Sequence, residues 1–275
     1  QSRVRYVDVY FSNLPPAFDG YRILHVSDLH LGTFDGWRRE ILEAEMDSIK
    51  AQKVDMICFT GDLQNMRPQE VQRLQNTIRT AMFGTISVLG NHDYAEYVKH
   101  TPGTERAMMR QLLAEERDSL HWIVLNNDHL TIYRQSTDEN YDKARSRKTT
   151  PKNDSIVIVG TENDGRPPFP QRADWNKAFQ GVGSQAFTIV LQHDPSAWER
   201  TILPRTNAQL TLSGHTHGGQ IQILGHRPTQ LSQREDYGLY CHNGRYLYVT
   251  AGLGGLVPFR LNMPNEIAII TLHRR

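Results

Sequence analysis

Two histidines spaced two residues apart, His215 and His217, end a strand-like run that begins at Thr211. Because alternate side chains of an extended chain point to the same side, both imidazoles can reach one region of space. Two neutral imidazoles that converge in this way suit a divalent metal ion. The same pair also fits an exposed polar turn, so it does not establish a metal site alone.

Four other apolar runs end in the same manner, on residues that can ligate a metal. These residues are Asp28, His30, Asp62, Asn91, His92 and His193. With the two histidines above they supply carboxylate, imidazole and amide groups but no thiolate, a set that suits Mn²⁺, Fe²⁺, Zn²⁺ or Mg²⁺. Eight candidates exceed the needs of one tetrahedral ion, so the set indicates two ions that share a bridging carboxylate. Two-metal sites of this kind serve in-line displacement at phosphorus.

Strands and amphipathic helices alternate in the first hundred residues and would position these side chains. After an N-terminal strand at 4–11, the pattern predicts strands at 21–26, 56–60 and 86–89. Helices are predicted between them, at 36–52 and around Val71, Leu74, Ile78 and Ala81. This order indicates parallel strands joined by helical crossovers. Open α/β sheets place their sites outside the carboxyl ends of the strands, where the polar clusters fall.

The rest of the sequence is rich in short strands. We predict a helix at 104–116 and strands at 122–125, 130–134, 156–160, 187–191, 209–213, 239–241, 246–250 and 266–272. The polar stretch at 135–154 is predicted as a solvated loop insertion, with a functional lid as the alternative. No internal repeat or linker is visible. We therefore expect one catalytic domain over residues 1–275, an α/β fold of two β-sheets flanked by helices.

Composition narrows the classes of partner. The 275 residues carry a formal net charge of +1, from 31 basic and 30 acidic side chains, so no global field recruits nucleic acid. Cys58 and Cys241 are predicted as buried reduced thiols in strands, with a disulfide as the alternative. There is no signal peptide and no apolar run of membrane-spanning length. Since the chain opens at Gln1, we expect a processed or truncated protein whose anchor is missing here.

The ordered motifs resemble those of the calcineurin-like metallophosphoesterase superfamily. They are Asp28-Leu29-His30, Gly61-Asp62, Gly90-Asn91-His92-Asp93, His193 and Gly214-His215-Thr216-His217. The resemblance runs from Tyr21 to about Leu272. Ser-Asp-Leu-His-Leu-Gly at 27–32, Gly-His-Thr-His-Gly-Gly-Gln at 214–220 and Gly-Leu-Gly-Gly-Leu-Val-Pro-Phe-Arg at 252–260 are similar to the YkuE-like bacterial branch. That branch includes membrane-associated phosphodiesterases and a UDP-2,3-diacylglucosamine pyrophosphatase.

The resemblance implies a two-metal phosphoester hydrolase with a β-sandwich between helices. One ion would be held by Asp28, His30, Asp62 and His217, and the other by Asp62, Asn91, His193 and His215. Asp62 would bridge the ions, with Mn²⁺, Fe²⁺ or Zn²⁺ expected. In the implied mechanism a metal-bridging hydroxide attacks phosphorus in line, while His92, which is not a ligand, contacts the phosphoryl oxygen or protonates the leaving group.

The branch also implies partners and location. We expect a diester or pyrophosphate substrate, lipid-linked or nucleotide-linked, no nucleic acid and a monomer. The full-length protein is expected to be bacterial and membrane-associated, on an unassigned side of the membrane, with a soluble catalytic domain. The alternatives are a phosphomonoesterase and a non-catalytic protein-binding scaffold. The scaffold predicts lost ligands or a missing His92, and neither is observed.

Some positions depart from the family pattern or carry no clear chemistry. Asn65 and Met66 stand where protein phosphatases place an acidic residue and arginine, which argues against that activity and leaves open what orients His92. Asp93 is one candidate, although a turn or capping role is its ordinary interpretation. Asp194 is predicted as a turn former and Arg260 as a surface residue rather than a phosphate ligand. Leu256, Val257 and Phe259 are predicted as core, with an acyl chain or bilayer contact as the alternative.

Overall fold

Two β-sheets of six strands each form the centre of the protein in a computed structural model, which describes residues 3–99, 103–136, 153–223, 226–255 and 259–275. In chain order the strands are β1 (Arg3–Phe11), β2 (Arg22–Val26), β3 (Met56–Phe59), β4 (Ile86–Ser87), β5 (Ile123–Val124), β6 (Asp128–Gln135), β7 (Asn153–Gly160), β8 (Thr188–Leu191), β9 (Leu210–Ser213), β10 (Gly238–His242), β11 (Arg245–Val249) and β12 (Glu266–Arg274).

The strand order explains how distant segments meet. The first sheet runs β1-β12-β2-β3-β4-β5 and the second runs β10-β11-β9-β8-β7-β6. Strands β2 to β5 are parallel, and so are β7, β8, β9 and β11. Parallel strands direct their carboxyl ends to one edge, so each sheet delivers several loops to the same side of the fold.

Helices cover the outer faces of the sheets. They are α1 (Arg39–Lys50), α2 (Gln69–Arg79), α3 (Thr104–Ala114), α4 (Trp175–Ala178) and α5 (Leu203–Arg205). Single 3₁₀ turns lie at Pro16–Phe18, Leu31–Thr33, Gly36–Arg38, Asn91–Tyr94, His217–Gly219 and Pro228–Leu231, and π turns at Glu115–Ser119 and Trp198–Ile202. No helix in the described ranges has the length and apolar character needed to cross a membrane.

The core follows from strand alternation. Ile23 and Leu24 are neighbours in β2 and both are fully buried, on opposite faces. Ile23 belongs to the cluster between the sheets, whereas Leu24 packs with Leu42 of α1 and Leu74 of α2. A third hydrophobic cluster packs on the outer face of the second sheet. The predicted α/β fold, two sheets flanked by helices, is confirmed.

Differences from the predicted elements are local. The helix predicted from residue 36 begins at Arg39 after a 3₁₀ turn, and the one predicted to 116 gives way to a π turn after Ala114. The strand predicted at 86–89 has only two residues, because the chain turns early into the loop before Asn91. The domain extent, 1–275, stays a prediction.

The predicted polar loop and one thiol need correction. Gln135 pairs with Asn153 in the antiparallel β6–β7 ladder, so the ends of the 135–154 stretch belong to strands. Residues 137–152 of that stretch lie outside the described residues. Both cysteines are free. Cys58 is buried as predicted, but Cys241 is exposed, because it lies on the edge strand β10.

Candidate metal centre

Loops at the carboxyl ends of five strands bring the predicted metal-binding side chains together. Strands β2, β3 and β4 of the first sheet and β8 and β9 of the second sheet lead into these loops. The residues that meet are Asp28, His30, Asp62, Asn91, His92, His193, His215 and His217. Residues as far apart in sequence as Asp28 and His217, 189 positions, therefore converge, because parallel strands end at one edge.

The backbone at this edge is strained. Five of the clustered residues have left-handed φ angles, at Asp28 (55°), His30 (45°), Asp62 (59°), His215 (73°) and His217 (53°). Such a conformation in a non-glycine residue costs about 1–3 kcal/mol and is typical of functional sites. Main-chain hydrogen bonds between the loops hold it. The Asp28 N–H donates to Gly61 C=O at 2.9 Å, and the Gly214 N–H donates to His193 C=O at 3.0 Å.

One half of the cluster centres on two buried imidazoles. The Nε2 atoms of His30 and His217 are 3.2 Å apart. The His217 Nε2 lies 3.6 Å from Asp28 Oδ1, and the His30 Nε2 lies 3.6 Å from Asp62 Oδ2. Burial lowers the pKa of His30 to about 3 and the pKa of His217 well below its usual value. Both rings are therefore neutral, and a neutral imidazole can ligate a cation.

The other half is built around the Asn91 amide oxygen. Asn91 Oδ1 lies 3.0 Å from His193 Nε2 and 2.9 Å from His215 Nδ1. The His193 Nδ1–H donates to the Thr60 carbonyl at 2.6 Å, which turns Nε2 toward the cluster. That Nε2 is also 3.3 Å from Asp62 Oδ2. The Asp62 carboxylate consequently lies between the two halves.

Charge balance shows that this donor set fits divalent cations. Burial raises the pKa of Asp28 to about 6, against the opposing charge of His193. Burial would also raise the pKa of Asp62, but His193 holds that pKa well below its usual value. Burial would lower the pKa of His193, yet the two carboxylates raise it to about 10. Buried carboxylates need a balancing positive charge, and a divalent cation held by these residues would supply it.

Comparisons with known proteins agree with this geometry. A model of the family described as calcineurin-like phosphoesterase matches residues 21–219. The chain belongs to this family. The uncharacterized metallophosphoesterase YkuE of Bacillus subtilis is 29% identical over 270 residues, which cover 95% of this chain and 82% of YkuE. The UDP-2,3-diacylglucosamine pyrophosphatase LpxG of Chlamydia muridarum is 28% identical, over 94% of this chain and 86% of LpxG.

These relatives confirm the predicted superfamily and its YkuE-like branch, and this phosphoesterase is a metal-dependent phosphoester hydrolase. Among solved structures, GAP50, the anchor in the inner membrane complex of Plasmodium, has a TM-score of 0.53 at 16% identity. The match covers 90% of this chain and 76% of GAP50. At that identity it supports the fold alone.

In this phosphoesterase a backbone carbonyl orients His92. The His92 Nδ1–H donates to the Asn65 carbonyl oxygen at 2.6 Å. A carbonyl only accepts hydrogen bonds, so Nδ1 must carry the proton and Nε2 is the nitrogen left for a substrate. The acidic side chain that would orient His92 is absent at position 65, and the main-chain carbonyl of Asn65 orients the ring instead. Side-chain patterns in the sequence carry no signal for such a contact.

Asp93 has a structural role instead. Its carboxylate accepts the N–H groups of Gly90 and Asp62, each at 2.8 Å, and of Leu63 at 3.0 Å. These bonds tie the loop after β4 to the loop after β3, which is the turn-stabilising role predicted as the ordinary one. Asp194 also behaves as the predicted turn former, because its Oδ1 accepts the Ser196 N–H at 2.9 Å.

Two contacts that the sequence did not reveal complete the surroundings. The Asn91 Nδ2 donates to the Tyr97 hydroxyl at 2.9 Å, which directs Oδ1 toward the two histidines. The cleft above the cluster has a volume of about 650 Å³, and Arg166 and Phe169 line it together with Tyr97. Phe169 meets the His215 ring edge-on at 4.5 Å between centroids. No spacing or periodicity marks these residues, because they reach the cleft from loops.

Arg260 and Phe259 contradict the predictions made for them. Arg260 is half-buried rather than a surface residue, and its guanidinium donates to the carbonyls of Ala251, at 2.8 Å, and of Gly254. Burial lowers its pKa to about 10. The loop that it supports contacts Asp28, whose carbonyl accepts the Gly254 N–H at 2.7 Å. Phe259, which was predicted as core, is 58% exposed, whereas Leu256 and Val257, predicted as core with it, lie outside the described residues.

Proposed function

We propose that this phosphoesterase uses two divalent metal ions to hydrolyse a phosphodiester or pyrophosphate bond. The position of Asp62 is the observation that carries the proposal. Its Oδ2 lies 3.6 Å from His30 Nε2 in one half of the cluster and 3.3 Å from His193 Nε2 in the other. A carboxylate that lies between two sets of imidazole nitrogens is placed as a bridging ligand would be.

We assign the ligands to the two halves as the motifs imply. Asp28, His30, Asp62 and His217 would hold one ion, and Asp62, Asn91, His193 and His215 would hold the other. When bound, the ions would activate water and neutralise charge on the phosphoryl oxygens. Mn²⁺, Fe²⁺ and Zn²⁺ all suit these oxygen and nitrogen donors.

His92 supplies the proton for the leaving group in this proposal. Since Nδ1–H is held by the Asn65 carbonyl, only Nε2 can give its proton to the departing oxygen. The imidazolium becomes a neutral imidazole in that step and keeps its Nδ1 hydrogen bond. The ring does not have to reorient, so the acid starts each turnover in place.

Arg166 favours a substrate with a second charged group. Its side chain lines the cleft and forms no ion pair with another described residue. A guanidinium in this position suits the non-reacting phosphoryl group of a pyrophosphate. The likeness to LpxG, which is named as a pyrophosphatase, points to the same substrate class. A cleft of about 650 Å³ also has the size of a small-molecule site.

An apolar groove beside the cleft supports a lipid-linked substrate. The 3₁₀ turn Pro228–Leu231 separates the two, because Thr229 lines the cleft while Pro228, Gln230 and Leu231 line the groove. Leu231 is 95% exposed and Ile223, across the groove, is 58% exposed. Exposed apolar residues next to a polar cleft suit an amphipathic ligand. We further expect a monomer that associates with a bacterial membrane in its full-length form.

Turnover of two model substrates tests the proposal. The protein is stripped of metal, reloaded with Mn²⁺ and assayed on bis(p-nitrophenyl) phosphate and p-nitrophenyl phosphate side by side. We expect the diester to be preferred, followed by activity on a nucleoside-diphosphate-linked glycolipid that exceeds activity on its deacylated form. Preference for the monoester would replace the proposal with a phosphomonoesterase. The absence of any metal-dependent rate would favour a protein-binding scaffold.

A further inference from the structure

A buried carboxylate, Glu70, gathers the main chain around the residue that holds His92. Its Oε2 accepts the N–H of Asn65 at 2.6 Å and that of Gly32 at 2.9 Å. Its Oε1 accepts the N–H groups of Met66, at 2.9 Å, and Arg67, at 3.0 Å. A carboxylate in the first turn of a helix ordinarily caps its own helix. Capping does not explain the contacts to Gly32 and Asn65, because these residues do not belong to the first turn of α2.

The two distant donors belong to the catalytic loops. Gly32 follows His30 by two positions, and Asn65 provides the carbonyl that accepts the His92 Nδ1–H at 2.6 Å. The Glu70 carboxylate therefore fixes the N–H of the same residue whose C=O orients His92. Through Asn65, Glu70 thus orients the His92 ring, as an acidic side chain at position 65 would otherwise do.

Gly32 shows that the carboxylate position is closely fitted. A Cβ added at Gly32 would lie 2.5 Å from the Glu70 carboxylate carbon and 2.7 Å from each of its oxygens. Those distances are too short for any real Cβ contact, so only glycine lets the loop reach the carboxylate. Since the carboxylate is the end of a flexible side chain, an alanine here would displace it without forcing the backbone apart.

We propose that Glu70 is the positioning residue for His92, acting through the main chain of Asn65. This inference rests on the proposed function, in which His92 protonates the leaving group. Replacement by glutamine keeps the shape of the side chain but turns an NH₂ group toward two N–H donors. The Asn65 carbonyl then shifts, and His92 leaves its productive position. Small misplacements of a catalytic group lower turnover by up to about 100-fold.

Kinetics on a pair of esters test the inference with the Mn²⁺-loaded full chain. The substrates are the p-nitrophenyl and phenyl esters of thymidine 5′-phosphate, because the phenyl leaving group depends more on protonation. For Glu70→Gln and Gly32→Ala we expect kcat on the phenyl ester to fall by about 10–100-fold, with a smaller fall on the p-nitrophenyl ester and KM unchanged. Glu105→Gln is the matched control, a first-turn carboxylate of α3 that accepts the Gly103 N–H at 2.8 Å, and it should behave as wild type.

A double-mutant cycle separates positioning from general destabilisation. In a His92→Ala background, Glu70→Gln should lower kcat by less than about 2-fold, because the group that it positions is gone. An equal loss in both backgrounds, an equal loss on both esters, or wild-type kinetics in Glu70→Gln and Gly32→Ala would overturn the inference.

Proton NMR of the metal-free protein provides a readout that does not require turnover. The hydrogen-bonded His92 Nδ1–H should give a downfield resonance that is assigned by its loss in His92→Ala. We expect this resonance to shift or broaden in Glu70→Gln and to be unchanged in Glu105→Gln. An unchanged resonance in Glu70→Gln contradicts the inference, whereas an inactive wild type with the expected shift would contradict only the proposed function.

Discussion

Removing the His92 imidazole separates proton transfer from metal binding. The residue lines the cleft, and its Nδ1 is engaged by the Asn65 carbonyl at 2.6 Å. The seven proposed ligands are complete without it. His92→Ala should therefore leave two ions bound and impair only the step that needs a proton on the leaving oxygen.

The magnitude follows from the chemistry of that step. General acid catalysis by one positioned side chain contributes typically about 10²–10⁴-fold, which corresponds to about 2.7–5.4 kcal/mol of transition-state stabilisation. We expect the lower end with a p-nitrophenyl leaving group, which departs with little help from an acid, and the upper end with an alkyl leaving group. KM should change little, because the phosphoryl group is held mainly by the metal centre.

The assay compares metal content and turnover in the same preparations. Metal is counted per chain by inductively coupled plasma mass spectrometry after reloading and gel filtration, and kcat is measured on the two leaving groups. His193→Ala serves as the control that should lose metal. The structure also allows His92 to be a metal ligand, since His92, His30 and Asp62 offer ligand atoms within 4.8 Å of one another. Loss of bound metal in His92→Ala would make His92 a ligand and refute the reasoning.

Three further predictions concern residues around and away from the centre. Tyr97→Phe removes the hydroxyl that accepts a hydrogen bond from Asn91 Nδ2, and such a bond contributes about 0.5–1.5 kcal/mol. The affinity for Mn²⁺, measured by calorimetry, should therefore fall about 2–10-fold. An unchanged affinity would contradict the role of Tyr97 in orienting Asn91. Arg166→Ala should raise KM for a nucleotide pyrophosphate about 2–5-fold, as expected for an exposed charge, and leave KM for bis(p-nitrophenyl) phosphate unchanged; equal effects on both would remove Arg166 from phosphate recognition. Burial raises the pKa of Glu116 to about 7 from an ordinary 4.5. Between these two pH values the folded state binds more protons than the unfolded state. The free energy of unfolding should therefore fall as pH rises from about 4.5 to about 7, by at most about 3 kcal/mol. Glu116→Gln should reduce this loss in urea unfolding at pH 5 and pH 8, although Asp28, whose pKa is also raised, still contributes to it. A variant that is as pH-dependent as the wild type would show that Glu116 does not contribute.

The clustering of the candidate ligands was predictable from sequence where strand ends and side-chain type coincide. His215 and His217 follow a strand whose carboxyl end faces the cluster, and Asp28 and His30 follow β2 in the same way. Parallel strands have a fixed direction, so their carboxyl ends deliver the loops that follow to one edge. The strand period of two did not place the side chains themselves, because these four residues have left-handed φ angles. The layers were predictable for the same reason, from apolar runs and helical spacing.

Features that depend on main-chain atoms or on loop paths were not predictable. The Asn65 carbonyl orients His92 although the Asn65 side chain gives no hint of it. Arg260 was predicted at the surface, yet it packs under the 251–254 loop because carbonyl groups there accept its hydrogen bonds. Cys241 has an apolar sequence context but lies on an edge strand, where that context does not imply burial.

Metal stoichiometry coupled to turnover tests the central claim most directly. Wild-type protein, stripped and reloaded with Mn²⁺, should hold two ions per chain and recover hydrolysis of bis(p-nitrophenyl) phosphate as the second ion binds. Asp62→Asn replaces the carboxylate between the two halves with a neutral amide, and it should reduce both the number of bound ions per chain and the rate. A single ion at full activity, or a rate that does not depend on added metal, would contradict the two-metal account.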